Sequence, residues 1–104
     1  MKSKKRSYKS ADHFFEDMLK DPEIKLYYEE ERSKTSIGMA VKAARVRAHL
    51  TQAQLAKKIG TTQSVIARLE GAGDRREPSL SLLARIAAAC HGKFEFGFKF
   101  KQVA

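Results

Sequence analysis

The chain has one cysteine, Cys90, and therefore cannot close an intrachain disulfide. Cysteine usage thus lends no support to export into an oxidising compartment. Cys90 follows the run "RIAAA" in an apolar helical pattern, where a buried, inert thiol is the expected state. No apolar run approaches the length needed to span a membrane. The opening stretch "MKSKKRSYK" is basic, but the apolar segment of an export signal does not follow it. These absences predict a cytoplasmic protein. No glycine-rich loop follows a strand, which leaves a nucleotide-binding fold without support. His13, His49 and His91 are scattered, and no Cys/His spacing matches a zinc site. The carboxylates Asp12, Glu16, Asp17, Glu29, Glu30 and Glu31 have nothing to desolvate or orient them and read as a solvated helix face. Neither catalysis, a metal nor a cofactor is expected. Internal repeats and low-complexity tracts are also missing.

What is present is positive charge. Lys plus Arg number 21 against 12 Asp plus Glu, a net +9 on 104 residues, which points to a polyanionic partner. Hydrophobic residues make up 42% of the chain, enough for one folded domain with a modest core. The charge is uneven. Residues 1–9 hold five bases and no acid, residues 10–34 eight acids and four bases, and residues 35–104 twelve bases and four acids. Four segments follow: a flexible basic tail (1–9), an N-terminal helical extension (10–34), a main helical body (35–91) and a C-terminal segment (92–104). The tail reads either as an arm lying along phosphates or entering a minor groove, or as a solubilising terminus.

Phe14, Phe15, Met18 and Leu19 fall at helical spacing. Asp21-Pro22 ends that helix and starts another, because proline restricts the residue before it and suits a first helical position. The stretch Ser33 to Gly38 reads as a break or a weak turn. Beyond it, Ile37, Ala40, Val41, Ala44 and Ala48 form a narrow stripe of small apolar residues, suited to close helix packing. Thr51 caps a helix with Leu55, Ala56 and Ile59 inward, and Gly60 ends it in the left-handed conformation. Thr62 caps the next, with Val65, Ile66 and Leu69 inward. "GAGDRREPS" reads as a loop, and Leu80 to Cys90 as a last helix built on Leu83, Ile86 and Ala87. In "KFEFGFKFK", Phe94, Phe96, Phe98 and Phe100 alternate with polar residues or glycine, the pattern of a strand with one aromatic face.

Two short helices joined by a tight glycine-containing turn form a helix-turn-helix unit, whose second helix enters the DNA major groove. With Val65, Ile66 and Leu69 inward, Thr62, Gln63, Ser64, Ala67 and Arg68 face outward. Gln can pair with adenine, Arg with guanine, and Ala can touch a thymine methyl. Gln52, at the start of the first helix, suits a phosphate. Arg75 and Arg76 read as further phosphate contacts.

The stretch "LTQAQLAKKIGTTQSVIARLEG" resembles the Cro/repressor (Xre-type) helix-turn-helix family over about residues 35–91. Leu50, Thr51, Gln52, Leu55, Ala56, Gly60, Gln63, Ile66, Glu70 and Gly71 stand at family positions. The resemblance implies a five-helix DNA-binding domain, with Gln52 on a phosphate and Gln63, Ser64 and Arg68 reading bases. It also implies a structural ion pair between Arg45 and Glu70. The longer, doubly basic "GAGDRREP" loop departs from the family pattern.

A mostly α fold is therefore expected: the five-helix domain, extra N-terminal helices and one C-terminal β-strand, the strand paired across a dimer. Such domains act as dimers on palindromic operators with half-sites about one helical turn apart. For the aromatic strand, folding back over its own helices and addition to another protein's sheet edge are the alternatives. The lead-in "FFEDMLKDPEIKLYYEEERSKTSIGMAVKAAR" resembles that of HigA-type antitoxins, which neutralise RelE/HigB-like ribonuclease toxins and repress their own operon. That resemblance makes Phe14, Phe15, Tyr27 and Tyr28 candidate toxin contacts. The alternatives are that these aromatics pack on the body, and that the protein is a phage or mobile-element regulator with no toxin partner.

Overall fold

The computed structural model describes residues 13–71 and 77–101. The chain divides into two units, Met1–Lys34 and Thr35–Ala104, and the boundary lies inside a helix. Among the described residues there are five helices: α1, whose described part is residues 13–18, α2 (Pro22–Arg47), α3 (Gln52–Ile59), α4 (Gln63–Glu70) and α5 (Leu80–Ala89).

In the first unit, α1 runs into a turn at residues 19–21 and α2 starts at Pro22. The Asp21 carboxylate accepts the Glu23 N–H at 2.9 Å, satisfying one of the open donors of the first helical turn. Phe15 and Tyr28 meet edge to face, ring centroids 5.4 Å apart. Phe14 and Tyr27 remain 68% and 64% exposed. The helix α2 is continuous from Pro22 to Arg47, so the expected break at Ser33 to Gly38 does not occur. Gly38 serves close approach instead. It is buried, and a Cβ there would lie 2.6 Å from the Leu69 carbonyl oxygen in α4.

The second unit is built round Val41, Leu55, Ala56, Ile59, Ile66, Leu83 and Ile86, with Ile37, Leu50, Leu69, Leu82, Ala89, Cys90 and Phe94 packed against them. The core thus draws on α2, α3, α4 and α5. Ala40 belongs to the stripe read from the sequence but is exposed. Local signals set the boundaries. Thr51 and Gln54 form a reciprocal capping box, and Thr62 and Ser79 each cap their helix through the side-chain oxygen. Gly60 (φ 75°) ends α3 with Gly60 N–H to Lys57 O and Thr61 N–H to Ala56 O. This is the paired-bond ending that favours glycine. The same pair of bonds ends α2 at His49 (φ 58°) and α5 at His91 (φ 62°).

The C-terminal segment corrects the sequence reading. Among the described residues there is no strand, and residues 92–101 carry no regular structure. Phe94 is half-buried at the core edge, stacked on Phe96 at 6.4 Å, but Phe96, Phe98 and Phe100 are 75%, 81% and 86% exposed. Alternation of period two makes a strand only where a neighbouring strand completes the hydrogen-bond ladder, and no described segment does so. Without a strand, the expected pairing of strands across a dimer has no structural basis.

Candidate nucleic-acid interface

The helices α3 and α4 are locked together by Leu55, Ala56, Ile59 and Ile66. Gly60, Thr61 and Thr62 form the turn between them. That anchoring decides which side of α4 faces out. Ile66 is buried, Val65 and Leu69 are half-buried, and Thr62, Gln63, Ser64, Ala67 and Arg68 are exposed. The Thr62 hydroxyl oxygen accepts the Val65 N–H at 3.4 Å, so its first task is capping. Arg68 Nε donates to the Ser64 carbonyl at 3.3 Å. This bond lays the guanidinium stem along α4 and leaves its other donors outward. Side chains able to pair with base edges therefore share one exposed face of a rigidly held helix.

Behind that face lies a charged cluster joining three helices. Arg45, from the end of α2, meets Glu70, the last residue of α4, through a two-pronged contact: Nε to Oε2 at 2.7 Å and Nη2 to Oε1 at 2.9 Å. Its third donor, Nη1, reaches the Leu50 carbonyl at 2.8 Å, while the Leu50 N–H returns to the Arg45 carbonyl at 3.1 Å. Gln52, the first residue of α3, donates from Nε2 to Glu70 Oε1 at 3.2 Å. The side chains of Arg45 and Glu70 are 13% and 4% exposed, so this pair is internal rather than available to DNA. Burial would push the Glu70 carboxyl up, but hydrogen bonds from Arg45 and Gln52, with the charges of Arg45 and Lys42, hold it below its ordinary value. The hydrogen bond to Glu70 raises the Arg45 pKa, against a smaller lowering from burial. Burial also raises the Cys90 thiol, partly offset by Lys58 and Arg45.

Of the remaining sequence-predicted residues, some belong to the first unit and others lie outside the described residues. Phe14, Phe15, Tyr27 and Tyr28 belong to the first unit. Arg75 and Arg76, the basic tail 1–9 and Asp12 lie outside the described residues. Among the described residues no group of His, Cys, Asp or Glu is arranged to hold a metal ion, and no helix is long and apolar enough to cross a membrane. Two features escaped sequence reading. The Gln52–Glu70 bond spans 18 residues and leaves no periodic signature. The tight seat of Gly38 against α4 is marked only by a glycine inside a helix.

A glycine-turned pair of short helices, held on a small core with an outward polar face, defines a DNA-binding domain of the helix-turn-helix class. The chain belongs to the helix-turn-helix family HTH_3, of the Cro/C1 (Xre-like) type, whose model matches residues 41–96. It is accordingly a DNA-binding transcriptional regulator built on a fold that is generally non-enzymatic. No match was found among curated proteins or among solved structures.

Proposed function

We propose that the protein is a sequence-specific transcriptional repressor that binds an inverted-repeat operator as a dimer, and that it is also an antitoxin. The observation that carries the DNA reading is the exposure of Gln63, Ser64 and Arg68 on one face of an anchored helix. In this reading Gln63 and Arg68 pair with base edges, Ser64 adds a shorter contact, and Ala67 meets a thymine methyl. Gln52 and the N-terminus of α3 take a phosphate. An eight-residue recognition helix reads few base pairs, which is why two copies are invoked.

The antitoxin part rests on the first unit. Its residues 10–34 carry eight acids against four bases, and Phe14, Leu26 and Tyr27 are each more than 60% exposed. An apolar, acidic surface of this kind suits a basic RNA-binding partner, such as a RelE/HigB-like ribonuclease. The test is a pull-down of tagged protein from its native cells, with the eluate analysed for both protein and DNA. A small basic ribonuclease recovered with the protein's own promoter supports both parts. Promoter DNA without a stoichiometric protein partner removes the antitoxin part and leaves a repressor. Recovery of no specific DNA removes the repressor part.

A further inference from the structure

Glu70 accepts from the Gln52 side-chain amide as well as from Arg45. A carboxylate is only an acceptor, so it fixes which end of a neighbouring amide faces it. The Gln52 nitrogen lies 3.2 Å from Glu70 Oε1. One of its two N–H groups is therefore committed, and the second N–H and the amide oxygen are turned away from the carboxylate. Nearby, the backbone N–H groups of Gln52 and Ala53, in the first turn of α3, make no hydrogen bond within the described residues. Gln54 N–H, in contrast, is taken by Thr51 Oγ1. The first residues of α3 thus offer three donors that have no partner among the described residues. The Arg45 fork cancels the charge of Glu70, so the anion that orients the amide adds no net repulsion toward an approaching phosphate.

We infer that Glu70, neutralised by Arg45, is a positioning residue that sets the Gln52 amide to donate to a DNA phosphate. The assignment rests on the DNA-binding reading above, and it links the last residue of the recognition helix to the phosphate contact of the preceding helix. A purely structural ion pair makes a different prediction: any replacement that preserves the fold preserves binding. Replacing a buried pair with apolar side chains of similar volume is often tolerated for stability, so the two roles can be separated.

The experiment uses the full chain and duplexes that the native protein selects from randomised DNA. Two double variants are compared, Arg45→Met with Glu70→Met and Arg45→Met with Glu70→Gln. Both remove the ion pair, but only the second keeps an oxygen that Gln52 can donate to. Positioning predicts roughly tenfold weaker binding for the first, the order expected for a lost hydrogen bond to a charged group, and near-native binding for the second. Adding Gln52→Ala should then weaken the second variant and leave the first unchanged. Equal affinity of the two double variants, with cooperative melting of both, overturns the assignment.

Side-chain amide spectra of the native protein provide a second measurement if a variant fails to fold. One Gln52 amide proton should follow the titration of Glu70, and the other should shift when the selected duplex is added. Gln52 amide protons unmoved by the duplex overturn the assignment while leaving DNA binding intact. A native protein that selects no sequence overturns the DNA-binding reading, and this assignment with it.

Discussion

At the residue scale, the exposed face of α4 and the cluster behind it answer to different tests. Arg68 is exposed, and its one hydrogen bond among the described residues is to the carbonyl of Ser64 in its own helix. Arg68→Ala should therefore leave the melting temperature nearly unchanged. It should weaken binding to the selected duplex by about 1–3 kcal/mol and relax preference at one base position, as read by competition among single-base variants of that duplex. Glu70 behaves in the opposite way. Its pKa is lowered in the folded state, so the unfolded chain binds the proton more readily. The stability this group contributes is fully present above the ordinary glutamate value of about 4.3 and is lost as pH falls through the lower folded value. Urea unfolding followed from pH 7 downward should show this acid loss in the native protein. In the Arg45→Met, Glu70→Gln variant this contribution to the slope should be absent.

At the element scale, helix ends were the most legible part of the chain, because their signals are local. Thr51, Gly60 and Thr62, read from the sequence, each act within a few residues of themselves, as do Gln54 and Ser79, which the structure adds. The inward sets of α3 and α4 follow from period alone. Contacts between residues distant in sequence carry no such local signal: the Arg45–Glu70 pair, 25 residues apart, was expected only through the family resemblance, and others escaped. Gly38 looked like a weak point in α2 but is the site of close approach to α4, and only the packed structure distinguishes these. Gly38→Ala should force α2 and α4 apart and lower stability by about 1–3 kcal/mol, the usual cost of overpacking, measurable by chemical denaturation. The alternating phenylalanines after Phe94 looked like a strand, but period two says nothing about whether a second strand exists. His91 illustrates a position invisible to either kind of reading, a non-glycine residue closing α5 at φ 62°. Because glycine adopts that conformation without strain, His91→Gly should raise stability by roughly 0.5–1 kcal/mol, detectable as a rise in melting temperature.

At the scale of the whole molecule, charge and family agree. Residues 35–104 carry twelve bases and four acids, and the helix-turn-helix match falls inside that stretch, at residues 41–96. A partner with a regular array of phosphates accounts for both. Binding to DNA should therefore weaken steeply with salt, each neutralised phosphate adding about −0.9 to the slope of log affinity against log salt. Titrations of a labelled duplex at several ionic strengths read this slope directly, and a flat dependence would argue for a different partner. The central claim is that α4 reads sequence, and the most direct measurement is selection from randomised duplex DNA by the native protein and by a Gln63→Ala, Arg68→Ala double variant. The native protein should enrich an inverted repeat with half-sites about one helical turn apart, and the variant should lose preference at defined positions within each half-site. Enrichment of no sequence by the native protein, or of the same sequence by both, would contradict it.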